Sequence, residues 1–178
     1  MAVKPRMPES HAGEKGDPPS FSGGDPTIQT LINVTCPPSH KLVDPLRELA
    51  NAVGQARYTV TVAQHLALAT NELVENAVLY GTLGADFEYS LSVAPLVKHV
   101  SVKVSNNTVS SRIGQLTALS EKLKRGGARQ ALDEGLRSAS RGMGRSQLGL
   151  ARVVYEASME LVVDVNGPRV TVTAIYRL

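Results

Sequence analysis

The sequence predicts an α+β fold: a two-layer α/β sandwich, with helices grouped on one face of a mainly antiparallel sheet. Three observations lead there. Two consecutive runs, Phe87-Glu-Tyr-Ser-Leu-Ser-Val and Val97-Lys-His-Val-Ser-Val-Lys-Val, alternate apolar and polar side chains with the period of half-buried antiparallel strands. The chain closes on two more strand-like runs, Glu160 to Val165 and Arg169 to Tyr176, around the hairpin signal Asn166-Gly167. Elsewhere apolar residues recur every three to four positions, the spacing of one helix face.

The elements follow in order. Residues 1–26 hold five prolines and four glycines with few apolar side chains, so they read as a disordered tail, either a solvating extension or a docking peptide. Order begins near Thr27. Ile28, Leu31, Ile32 and Val34 make a first strand that ends at Cys36-Pro37-Pro38. Ser39 can cap a helix running to about Gln55, with Leu42, Leu46, Leu49, Ala50 and Val53 on its buried face; Pro45 near its start suits the first helical position. A second helix spans about Val62 to Tyr80, with Thr61 and Gln64 as a capping box and Gly81 as its end.

That second helix is the most informative stretch. Its apolar stripe is Val62, Leu66, Leu73 and Ala77, and beside it Glu72 and Asn76 share one face at i, i+4 spacing. Two readings stand. The polar face is solvated, as on many amphipathic helices, or the carboxylate and carboxamide converge on a ligand, which would explain an Asn inside a helix.

After the two alternating strands, joined by a turn at Ala94-Pro95, the character changes. Ile113, Leu116, Leu119 and Leu123 mark a helix that stops at Lys122-Leu-Lys-Arg-Gly-Gly. A short helix from about Ala128 to Arg137 carries Ala128, Leu132 and Leu136. A glycine-containing loop, Ser138 to Ser146, leads into a last helix from about Gln147 to Ser158, facing inward with Leu150, Val153, Val154 and Ala157. The basic cluster Lys122, Lys124, Arg125 and Arg129 is a solvated helix end or a phosphate contact.

Composition narrows the function. The 178 residues are 42% hydrophobic, enough for one domain with a core, expected over residues 27–178. A net charge of +3, from 19 basic and 16 acidic residues, makes no electrostatic case for nucleic acid. The single cysteine, Cys36, precludes an intrachain disulfide and fits a reducing compartment as a buried or strand-end thiol. No apolar run approaches a membrane span or a signal peptide, so the expectation is a soluble cytoplasmic protein.

The element order together with Glu72-Leu-Val-Glu-Asn76-Ala77 and Gly81 resembles the GHKL (Bergerat-fold) ATPase superfamily, in its anti-sigma-factor serine kinase branch. The helix before the motif carries an Arg in that branch, here Arg47. The resemblance implies ATP and magnesium as cofactors, Asn76 as a magnesium ligand, and Glu72 as the general base that polarises an attacking hydroxyl or water. Such roles suit the groups: a hard cation takes oxygen ligands, and a carboxylate one turn away can accept a proton. The family's adenine-reading Asp-x-Gly-x-Gly is replaced by Asn106-Asn107-Thr108-Val109, so Asn106 would offer a neutral amide oxygen in place of the acid. The phosphate loop and helix start correspond to Gly142-Met-Gly144-Arg145-Ser-Gln-Leu148-Gly149-Leu150, where a helix N-terminus can hold an anion and Arg145 adds charge. Gly149 either serves that loop or permits tight packing.

The Asn after the strand, the two amphipathic helices and the Leu-Gly-Leu-Ala-Arg helix are similar to SiaB-like protein kinases. The resemblance implies action on a small regulatory partner of the anti-sigma-factor-antagonist type, phosphorylated on Ser or Thr, in bacterial partner-switching, and it leaves a homodimer open. A different class also remains: a binding module that keeps the fold without the chemistry and regulates its partner by sequestration.

Overall fold

Strand β1 (Gln29–Cys36) is edge-like, with alternating exposed and half-buried residues. The chain then turns at Ser39, whose hydroxyl accepts from the Lys41 amide and starts a 3-10 turn, His40–Leu42, that leads into α1 (Val43–Arg57). The computed structural model describes residues 28–139 and 145–178; the proposed tail and Gly144 lie outside them.

Helix α2 (Val60–Tyr80) begins two residues sooner than the capping box implies. Thr59, extended at φ −75° and ψ 160°, is the cap, and its hydroxyl accepts from the Val62 amide at 3.3 Å. Thr61 lies inside the helix because Tyr58 and Thr59 already make the extended break from α1. At the other end Gly81 is extended, and its amide closes the last turn on the Ala77 carbonyl.

Strands β2 (Phe87–Ala94) and β3 (His99–Asn107) form the expected antiparallel pair, linked by a 3-10 turn at Pro95–Val97 and Lys98 in the left-handed region at φ 50°. Helices α3 (Ser110–Lys124) and α4 (Ala128–Ala139) follow. Helix α5 (Arg145–Tyr155) starts and ends two to three residues before the sequence reading, so Arg145 and Ser146 are helical rather than loop. The hairpin β4 (Glu160–Asn166) and β5 (Arg169–Arg177) turns at Gly167, φ 58°, and Pro168.

The sheet order is β1-β2-β3-β5-β4 with every pair antiparallel. Phe87, Tyr89, Leu91, Val100, Val102, Val104, Val170 and Val172 point from one face into a single core, where Leu46, Leu66, Leu73, Leu119, Ala131 and Leu150 arrive from all five helices. The other face carries hydroxyls, with Ser105 and Thr171 paired across strands at 2.8 Å. This is the two-layer sandwich that the alternating strands and helical spacings predict. Within the core the Tyr89 hydroxyl meets Thr70 at 3.2 Å, and burial pushes that phenol up to about 12, so it stays neutral.

Two inward-facing assignments change. Leu49 and Leu136 are 42% and 53% exposed. On α1 the buried stripe is Val43, Leu46, Ala50 and Gly54, where Gly54 lets α2 approach closely. On α4 it is Ala131, with Gly135 against Leu148. In each helix a small residue takes the contact that the larger leucine was expected to make. Among the described residues no helix is long and apolar enough to cross a membrane.

Candidate functional site

The second half of α2 lies over the sheet beside β3 and α5, and three of the sequence motifs meet there. A cavity of about 30 Å³ is lined by Asn76 and Tyr80 of α2, Asn106 of β3, Thr108 just after it and Leu116 of α3. Leu73, Val104, Leu150, Val170 and Val172 complete its apolar floor. Asn76 and Asn106, thirty residues apart in sequence, thus face one space.

Local bonds hold the polar rim in place. Thr108 donates its hydroxyl to the Tyr80 carbonyl at 2.7 Å, and the Thr82 amide donates to the Asn107 carbonyl at 2.8 Å. Both bonds tie the end of α2 to the end of β3. Asn106 uses its amide nitrogen on the Asn107 carbonyl at 3.2 Å, which leaves its amide oxygen as the acceptor offered to a ligand. Arg112 of α3 stacks over the Tyr80 ring at 3.7 Å and so pins the start of α3 across the cavity.

Glu72 is more deeply placed than a residue beside the apolar stripe should be. It is 8% exposed, under α5. Arg152 of α5 donates Nη1 to Glu72 Oε1 at 2.6 Å and Nε to Glu156 Oε2 at 3.1 Å, so one guanidinium bridges two carboxylates. Gly149, one turn earlier on α5, lies against the other side of the carboxylate. Of the two meanings open for Gly149, tight packing is the one the geometry displays, and the surface it packs on is Glu72 itself.

Burial raises the Glu72 carboxyl above the ordinary carboxylate range; Arg152 opposes that rise, while Glu75 and Glu156 add to it. The folded state therefore holds that proton more tightly than the unfolded chain does. Stability from this group is complete at acid pH, below the ordinary carboxylate value, and is lost as pH rises through the raised one. Glu72→Gln should accordingly melt at a higher temperature than the parent chain at pH 7 to 8, with the advantage gone below roughly pH 4. Thermal melts across that range check it, and equal melting temperatures at neutral pH would refute the burial argument.

The remaining expected site residues divide. Leu148 packs on Gly135 of α4, and Leu150 is the residue of that motif on the cavity wall. Arg145 opens α5. Arg47 is not on the cavity wall; it pairs with Asp44 at 3.0 Å and with Glu48 at 3.8 Å. The basic cluster is partly neutralised, Lys122 by Glu134 at 2.5 Å and Lys124 by Glu121 at 3.3 Å. Cys36 is a free, half-buried thiol at the end of β1, its pKa raised by burial and by Asp86, which suits the structural role read from sequence. Sequence reasoning missed Arg152, Tyr80, Thr108 and Leu116. Only Arg152 gave a signal, as the single charge in Leu148-Gly-Leu-Ala-Arg-Val-Val.

The architecture is that of a two-layer α/β sandwich whose conspicuous polar pair sits on the helix covering the sheet. Among solved structures the chain is similar to one from the SiaB–SiaC complex of Pseudomonas aeruginosa, with a TM-score of 0.59 and 18% sequence identity over 82% of this chain and 89% of that one. That likeness is one of fold, and it agrees with the SiaB-like resemblance carried by the motifs. No protein-family model and no curated protein matches the chain.

Proposed function

We propose that this protein is a partner-switching regulator that acts as an ATP- and magnesium-dependent serine/threonine kinase on a small partner of the anti-sigma-factor-antagonist type. The observation that carries this reading is that Asn76 and Asn106 face one cavity while Glu72, one turn before Asn76 on α2, lies against Gly149 of α5. Support for the partner class comes from the shared fold with a chain of a complex whose second member is SiaC.

The residues fit the groups the reading needs. Among the described residues no set of three or more His, Cys, Asp or Glu could cage a metal. Asn76 supplies one neutral oxygen, which suits a magnesium ion that keeps waters and phosphate oxygens as its other ligands. Bound there, the ion would neutralise charge developing on the phosphates. The valine and leucine floor suits the flat face of a purine, and the Asn106 amide oxygen can accept from an exocyclic amine. ATP held there would supply the γ-phosphoryl group, and Glu72, as a carboxylate, would accept the proton of the partner's Ser or Thr hydroxyl.

A cavity of about 30 Å³ holds about two waters and no purine. Nucleotide entry on this reading requires Leu116 and the start of α3 to swing away, with the Arg112–Tyr80 stack released. Asn76→Ala should abolish magnesium-dependent ATP binding in calorimetry, while a parent chain that binds at 100 times its dissociation constant should gain about 2.7 kcal/mol of stability. Unchanged ATP affinity in the variant would sink the metal role.

The small cavity and the neutral Asn106 favour a second reading, a module that sequesters its partner without nucleotide chemistry. Partner affinity indifferent to ATP, with no thermal shift by ATP and magnesium, would select it over the kinase.

A further inference from the structure

We propose that Arg152 is a positioning residue for Glu72, holding the carboxylate in the place and charge state from which it accepts a proton. The inference rests on the kinase reading for its catalytic meaning and on the geometry of α2 and α5 for its substance.

Among the described residues the charged groups acting on Glu72 are Glu75 on its own helix, Arg152 on α5 and Glu156 just after it. Two are anions, and burial acts in the same direction as both. Arg152 is the cation that counters them, and it does so directionally, through a 2.6 Å charge-assisted bond to Oε1. Its own position is fixed from the other side by the 3.1 Å bond from Nε to Glu156, four residues on. Gly149 then closes the space beside Glu72 Oε2. Each oxygen is thereby confined by a different residue of α5, and the carboxylate has little freedom to rotate.

Without such a cation, burial and the two anionic neighbours would push the Glu72 carboxyl further up, toward the protonated form, and a protonated acid cannot take the acceptor's proton. Arg152 thus does what no residue on α2 does, even though it need not touch the substrate. Glu156 has a part as well: by holding Nε it orients Nη1 toward Glu72 at the cost of adding negative charge nearby.

The test follows the Glu72 carboxyl carbon by NMR through a pH titration of the full chain, in parent, Arg152→Met and Arg152→Lys forms. The midpoint should rise by about one pH unit in Arg152→Met, the low end for an opposing charge because the guanidinium is partly solvated. It should rise less in Arg152→Lys, whose single ammonium keeps the charge without the two-armed bridge. If the methionine form does not fold, the lysine form decides alone. An unmoved midpoint overturns the proposal. Alongside, the acid limb of magnesium-ATP turnover should move up by the same amount in the variant; a limb that stays put while the midpoint moves also overturns it. A parent chain with no turnover at all ends the kinase reading, and the titration still decides whether Arg152 governs Glu72.

Discussion

Gly149→Ala is expected to lower folding stability by about 2 kcal/mol and to expel the Glu72 carboxylate from its place under α5. A Cβ at this position would fall well inside contact distance of Glu72 Oε2 and 3.1 Å from its Cδ. On an exposed side chain the far end of a glutamate would swing aside at little cost. Here the side chain is buried and its other oxygen is held by Arg152, so relief requires breaking the ion pair or lifting α5 from α2. Either outcome damages the site. Urea unfolding reads the stability, and the titration midpoint of the Glu72 carboxyl reads the site; a variant with the parent's unfolding and titration midpoints would show that Gly149 is not the packing surface described.

Gly54→Ala should cost more, about 3 kcal/mol, at the upper end of what overpacking usually takes. The added carbon would stand 2.6 Å from Ala63 Cα and 2.9 Å from Ala63 Cβ. Those atoms belong to or adjoin the backbone of α2, so no rotamer change relieves the clash and the two helices must separate. Because α2 carries both Glu72 and Asn76, the kinase reading expects ATP affinity to fall together with stability. Gly114→Ala is the control: it sits in α3 with nothing within 4 Å and should gain about 0.5–1 kcal/mol from helix propensity alone. Unfolding midpoints that rank the two variants together would refute the close approach of α1 and α2.

Much of the fold was legible because its signals are local. Alternation over Phe87 to Val93 and Val97 to Val104 needs only neighbouring residues to be read, and the strands lie there except that Val97 and Lys98 belong to the turn before β3. The same holds for the stripe Val62, Leu66, Leu73 and Ala77 on α2, every member of which is buried. Helix starts were less legible, since Thr59 and Thr61 are both competent caps and the choice depends on where α1 stops. Exposure of Leu49 and Leu136 was not legible at all, because periodicity does not say which partner helix arrives on which side. The site divides in the same way. Glu72 and Asn76 are one turn apart and readable as a pair, whereas Arg152 reaches Glu72 across 80 residues of sequence. A contact of that range leaves no pattern in the local composition.

The sheet order places the β4–β5 hairpin beside a strand made long before it: β5 pairs with β3 from His99↔Arg177 to Asn107↔Arg169. Closing that pairing encloses α3, α4 and α5 in one large loop, a non-local contact of the kind that slows folding. Val170 and Val172 of the same strand are part of the cavity floor. A chain ending after β3 would carry Glu72 and Asn76 without the Leu150, Val170 and Val172 part of the floor and without Arg152. Truncation ahead of β5 would therefore leave the motif without the complete pocket.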